Sequence, residues 1–375
     1  MIGFKASRYR RRLILPALML LALLLLGLGG RDIRFAIVAE PWPEADSLFH
    51  RDPRWLGADD AYSVDLGRGR VLWLFGDTFI AEIPGQGRRE ARFIRNSVAI
   101  QQGYDPTSAG LRFYWGRRDG RAASFFGESG PNWFWPGHGV RLKDRLLIFL
   151  MEICPGAGPL GFEGCGWAAA MIANPDDEPD QWRTRRLEVP ANGFRVLVGS
   201  AGVIEHDGHI YAFGAQEPGG RRAFLVRWPL ARVLAEDLSR PEWWTGDRTG
   251  WQAQDRLENE PPPVFTEAQN EFTVHYDRRL KLWLQIQTMG FGAADLAARW
   301  APALTGPWFG PEKFYRPGES GRPGILVYAG KAHPELTGAG LVLTYVANSL
   351  NEEAVLNDEG LYYPRFLKAE VKPVQ

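Results

Sequence analysis

Three carboxylates in the stretch from Trp55 to Ile80 are spaced so that folding brings them together. The stretch reads WLGADDAYSVDLGRGRVLWLFGDTFI. Asp59 and Asp60 precede one apolar segment, Ala61 to Val64, and Asp77 follows another, Val71 to Phe75. Apolar runs rich in β-branched and aromatic residues, bounded by glycine, predict strands. The turn Leu66-Gly67-Arg68-Gly69-Arg70 folds these two into a hairpin. A hairpin joins its two far ends, so all three acids are expected at one end of a sheet. Gathered like charges repel, which points to a site rather than to a stabilising feature. Two carboxyl groups flanking a sugar linkage can cleave it, one as acid and the other as base or nucleophile.

The elements that hold these acids recur along the chain. Further hairpins are PGHGVRLKDRLLIFLME from Pro136, VGSAGVIEHDGHIYAFGAQE from Val198, QNEFTVHYDRRLKLWLQIQ from Gln269 and YAGKAHPELTGAGLVLTYVAN from Tyr328. Aligned, their openings deliver His138 with Trp135, then Ser200, then Asn270 with Glu271, then Lys331 with His333 and Glu335. The equivalent points recur about every 60 to 80 residues, a period that suits propeller blades. Segments 166–190, 221–230 and 293–317 add the outer strands, and Trp182, Trp228 and Trp308 are expected between blades. The fold class is therefore all-β: a five-bladed β-propeller of four-stranded blades over residues 55–375. The tail LYYPRFLKAEV, residues 361–371, is expected to be a last strand that closes the ring on the first blade. Inner strands start near the axis, so the openings converge on one funnel. Acids, histidine and lysine beside tryptophan suit a carbohydrate, whose ring stacks on aromatic faces while its hydroxyls meet charged groups.

Composition agrees with this architecture. Tryptophan (15) and glycine (43) are abundant and cysteine (2) is scarce, as short strands and tight turns require. Bases and acids are equal at 44 each, but Lys5, Arg8, Arg10, Arg11 and Arg12 stand in a first segment without acids. The rest of the chain therefore carries five more acids than bases, which disfavours nucleic acid as a partner. Residues 13–30, LILPALMLLALLLLGLGG, are uncharged and come directly after Arg10-Arg11-Arg12. Such a run is a transmembrane anchor or a signal helix, and the basic flank places the downstream domain outside. Residues 1–30 are thus a signal or anchor segment, and residues 31–54, polar and proline-containing, a linker. An exported domain, periplasmic or extracellular, is expected to oxidise its cysteines. Cys154 and Cys165 enclose a glycine- and proline-rich loop, and a disulfide across it is expected. Two cysteines do not make a zinc site, and no cofactor is called for. The acidic turn Asp176-Asp177-Glu178-Pro179-Asp180 leaves a structural calcium open, although EF-hand ligand spacing is absent. A monomer is expected.

The openings GADDAYS, LWLFGDTFI and IRNSVA resemble those of the family known as domain of unknown function 4185, and ALTGPW, YAGKAHPEL and YYPRF are similar to it as well. The resemblance covers nearly all of residues 55–370. It implies a five-bladed propeller akin to glycoside hydrolase family 43, with relatives that cleave arabinan in bacterial cell-wall polysaccharide. By this resemblance Asp59 matches the blade-one acid and Asp77 is a second acid. Glu271 is the nearest fit to the general acid of a later blade, with Glu217 in reserve. Glycine usually stands where this chain has Asp60. The expected assignment is Asp59 as base or nucleophile, Glu271 as general acid and Asp77 as the positioning acid. Asp60, Trp135, His138, Ser200, Asn270, Lys331, His333 and Glu335 are then expected to line the sugar subsites. The alternatives are a non-catalytic carbohydrate-binding propeller and an envelope interaction scaffold.

Overall fold

Each of the five sequence hairpins folds as the inner pair of a blade. The computed structural model describes residues 34–374 except 159, 217–220 and 291. Its main body is Val38–Glu370; the described residues up to Ile37 and from Val371 form a second, small unit. Blade one orders Trp55–Gly67, Arg70–Ile80, Ser97–Gln102 and Gly110–Tyr114 from inside outward, and Arg92–Ile94 adds to its second strand. Blade two runs Trp133–Leu142, Arg145–Pro155, Phe162–Ile172, Thr184–Leu187. Blade three runs Val196–His206, His209–Gln216, Arg222–Pro229, with short outer pieces at Glu242–Trp244 and Trp251–Ala253. Blade four runs Thr273–Asp277, Leu282–Met289, Asp295–Ala301, Phe309–Tyr315.

Blade five corrects two expectations. Its order is Ile325–His333, Leu341–Ser349, Pro364–Val374 and, outermost, Arg34–Pro41. The tail strand does not reach blade one; the strand Arg34–Pro41 pairs with it in the last blade instead. That pairing covers a strand edge that would otherwise stay open. Residues 34–54 are therefore not a linker. Phe35 and Ile37 are buried while Ala36 and Val38 are exposed, the alternation of a half-buried strand. Short helical turns at Pro43–Asp46 and Ser47–His50 then bury Ala45, Leu48 and Phe49. The expected segment 1–30 lies outside the described residues. Among the described residues no helix is long and apolar enough to cross a membrane.

Aromatic side chains fill the seams. Phe49 stacks on Phe366 and meets Trp73 and Phe75 edge-on, joining blade five to blade one. Trp182 packs edge-on against Phe125 between blades one and two. Trp228 contacts Phe149 and Trp167 between blades two and three. Trp308 meets Phe213 and Phe265 at the seam that also holds Phe272 and Trp283. The three tryptophans thus hold the inter-blade positions read from the sequence. At the seam of blades two and three, Gly199 has a left-handed φ of +76°, and a Cβ there falls 2.2 Å from Phe149 Cγ. Gly199→Ala is expected to destabilise the protein by about 2–4 kcal/mol, from strain and overpacking together. Urea unfolding should show a lower midpoint with an unchanged slope.

Candidate active site

Strand geometry alone would separate Asp59 from Asp60, because neighbouring residues of a strand point to opposite faces. Blade one breaks that rule twice. Ala58 pairs with Thr78, Asp60 with Phe75 and Tyr62 with Leu74, so each strand bulges once over this span. Asp60 and Ala61 take left-handed φ angles of 73° and 62°, conformations that cost about 1–3 kcal/mol each and cluster at functional sites. The result turns Asp59, Asp60 and Asp77 into one cavity of about 330 Å³. Gly76 makes room: a Cβ there would lie 2.5 Å from Asp59 Oδ1. Blade five bulges likewise, with Tyr328 opposite Val346, Lys331 opposite Thr344 and Ala329 at φ +55°. Tyr328 and Lys331, three residues apart, can then both serve the site.

The floor of the cavity is ionic. Lys331 is fully buried, and its Nζ lies 2.6 Å from Glu271 Oε2 and 2.7 Å from Asp60 Oδ1. It donates a hydrogen bond to Glu271 and forms an ion pair with Asp60. Its ammonium also lies 4.3 Å from the centre of the Tyr62 ring. Burial by itself favours the neutral Glu271 acid, but the Lys331 charge and hydrogen bonds from Asp60 and Lys331 outweigh it and hold the group below its ordinary value. Burial pushes Asp60 well up, against the pull of Lys331 and with the Glu271 charge adding to the rise. Of this pair, Glu271 is the more acidic.

Asp59 and Asp77 form the second half. Burial, then the charges of Asp77 and Glu271, push Asp59 well above the usual carboxylate range. The Tyr328 hydroxyl donates to Asp59 Oδ2 at 2.8 Å and accepts from Asn348 Nδ2 at 3.1 Å. Burial raises Asp77 to about 6, opposed by Arg95 at 3.3 Å and by the Trp135 indole, which donates to Oδ1 at 2.8 Å. Tyr362 completes the wall.

Of the expected site residues, the structure gathers Asp59, Asp60, Asp77, Trp135 and Glu271 around this cavity, with Lys331 beneath. The other five lie elsewhere. His138 accepts from Val203 N at 2.9 Å and pairs through Nε2 with the Ser63 carbonyl at 3.1 Å, stitching blades one, two and three; burial lowers it to about 4. His333 lies between the Ser63 hydroxyl at 2.6 Å and the Thr344 hydroxyl at 2.8 Å. The Ser200 hydroxyl accepts from Ala215 N at 3.3 Å. Glu335 lies towards the Asp65 end of the blade-one strand, away from Asp59. Asn270 is half-buried and does not line the cavity. Glu217 lies outside the described residues.

The two cysteines expected to pair are close enough for their thiols to share a hydrogen bond. Cys154 and Cys165 lie on paired strands, and both are free thiols. Cys154 faces Glu163, while Cys165 falls in a bulge between the partners of Glu152 and Ile153. The two are therefore not cross-strand partners. The acidic turn is engaged by arginines: Arg141 reaches Asp176 at 2.9 Å, and Arg70 donates to its backbone carbonyl at 2.6 Å. Among the described residues no group of three or more His, Cys, Asp or Glu is arranged to hold a metal ion. Sequence reasoning missed Arg95, Tyr328, Asn348 and Tyr362. Three of these stand inside the stretches IRNSVA, YAGKAHPEL and YYPRF, where a signal was present but unread.

The fold and the cavity define a five-bladed propeller with a carboxyl-lined axial site. The chain belongs to the family described as "Domain of unknown function (DUF5005)", which it matches over residues 44–371; the resemblance to domain of unknown function 4185 is replaced by this membership. Comparison with curated proteins finds no match. A candidate hydrolase from Bacteroides ovatus superposes with a TM-score of 0.68 at 17% identity, over 89% of this chain and 90% of that one; this likeness shows the fold. The catalytic domain of a Coprinopsis cinerea α-L-arabinofuranosidase gives 0.49 at 12% identity, over 91% and 97%. An α-L-arabinofuranosidase from Podospora anserina gives 0.48 at 11%, over 91% and 98%.

Glu335 supplies a test of the axis that is independent of any activity. Burial raises its carboxyl from 4.5 to about 7, and its Oε1 has no hydrogen-bond partner. The folded state holds this proton more tightly than the unfolded chain does. The stabilising effect is therefore full below the unfolded value and lost as pH rises through 7, at a cost on the order of 3 kcal/mol. Glu335→Gln should be more stable than the wild type at pH 8, with the advantage fading below pH 5. Thermal unfolding across pH checks this.

Proposed function

We propose that the cavity binds a sugar chain and cleaves a glycosidic bond by acid–base catalysis between carboxyl groups. The observation that supports this best is the split in proton affinity inside one cavity. Lys331 holds the Glu271 carboxyl below its ordinary value, while burial beside charged neighbours raises that of Asp59. Environments that push two carboxyls apart assign a donor and an acceptor. Asp59 gives its proton to the departing oxygen, and Glu271 acts as base or nucleophile. These roles are the reverse of those expected from sequence. Asp77 adds to the rise that burial gives Asp59 and holds the Trp135 ring, and Trp135, Tyr328 and Tyr362 offer faces to a pyranose or furanose ring. An arabinan-type envelope polysaccharide as substrate rests on the resemblance of the opening motif. Export and anchoring rest on the apolar run 13–30.

One observation favours a second reading, a binding propeller without catalysis. Lys331 neutralises the Asp60–Glu271 pair, as a purely structural ion cluster also does. Incubation of the protein with arabinan, arabinogalactan and related glycans separates the two readings by release of oligosaccharide. Asp59→Asn and Glu271→Gln should each lower release at least 100-fold, the range for loss of a positioned acid or base, with the fold retained. Release should also fall at high pH, as Asp59 loses its proton, and at low pH, as Glu271 gains one. Binding without release by the wild type establishes the second reading.

A further inference from the structure

The mouth of the cavity has a chemistry unlike that of its floor. Among the described residues seven large hydrophobic side chains are exposed, and three of them, Phe93 (46%), Leu160 (48%) and Leu350 (68%), line this one cavity. Phe162, Met151 and Leu326 continue the apolar wall. Single exposed apolar residues are ordinary, whereas a cluster at a cavity mouth marks a binding surface. An aromatic face can stack on a sugar ring. Leucine and methionine offer neither a ring face nor a hydrogen bond, and they gain only by removing hydrocarbon from water. A plain polysaccharide, hydroxylated along its length, leaves such a wall wet.

We infer that the cavity takes an amphiphilic glycoside, with the sugar on the carboxyl floor and an alkyl aglycone against the apolar mouth. This rests on the glycosidase reading for its reaction but not for its binding. Cleavage by water releases the free sugar and the alcohol: the proton from Asp59 goes to the aglycone oxygen, and water supplies the hydroxyl of the sugar and restores the proton.

The test uses methyl, butyl and octyl glycosides of arabinose, xylose and galactose with the full chain, each below its micelle concentration. For the accepted sugar, Kd by calorimetry should fall at least tenfold from methyl to octyl, since each well-buried methylene is worth up to about fourfold. In Leu160→Ser/Leu350→Ser, two exposed positions whose replacement leaves the core intact, the dependence on chain length should collapse. Equal Kd and KM for methyl and octyl glycosides overturn the inference while leaving the glycosidase reading intact. Chain-length-dependent binding without hydrolysis sinks the glycosidase reading and keeps this one. A dependence that survives the double serine variant overturns it, as does no binding of any of these glycosides together with concentration-dependent dimerisation, the mark of a mouth that seats a second copy of this chain.

Discussion

A lysine ammonium taken out of water governs the arrangement around it. Burying such an ion costs several kcal/mol unless opposite charge and hydrogen bonds answer it. Lys331 finds its answer in Glu271, in Asp60 and in the face of Tyr62. The same contact drives the two carboxyls apart in proton affinity, Glu271 below its ordinary value while burial lifts Asp60 above it. The cation comes from blade five, Glu271 precedes the inner strand of blade four, and Asp60 and the ring belong to blade one. Three blades are thereby fixed to one another at the axis.

Delivering these groups to one point requires the inner strands to depart from ideal pleating. Blade one uses a bulge on each of its two strands and two left-handed residues, and blade five uses one bulge. Register also shifts in the inner hairpins of blades two and three. Bulges re-aim side chains and sharpen twist, and here they recur where strands approach the axis. The aromatic seams further out supply the packing that holds such local strain in place.

How much of this the sequence disclosed depends on distance along a strand. The period of the hairpins located all five blades, and aligning them put Asp59, Glu271 and Lys331 at one level of the axis, where the bulges of blades one and five bring them together. The same alignment set His333 and Glu335 at the level of Lys331. A strand rises about 3.3 Å per residue, so Glu335 lies far along the axis, towards the opposite end. His138 errs likewise, since its strand begins at Trp133 and the residue is already deep among backbone partners. Tyr328 was hidden for the opposite reason: three residues from Lys331, it faces away in any regular strand, and only the bulge at Ala329 brings it in. The outer strand Arg34–Pro41 was masked by flanking prolines and charge, although its alternation was visible. The opposite shifts of Asp59 and Glu271 were out of reach, because they depend on burial and on which carboxyl the lysine meets.

Tyr62 carries a consequence of a different kind. Fully buried, its hydroxyl donates to the Ser200 carbonyl at 2.6 Å and accepts from Phe272 N at 3.1 Å. It thereby plugs the axis between the carboxyl floor and the histidines beyond. Its hydroxyl joins the backbones of blades three and four while its ring faces the buried ammonium of blade five, so a single side chain from blade one touches every blade that sends a group to the ionic floor.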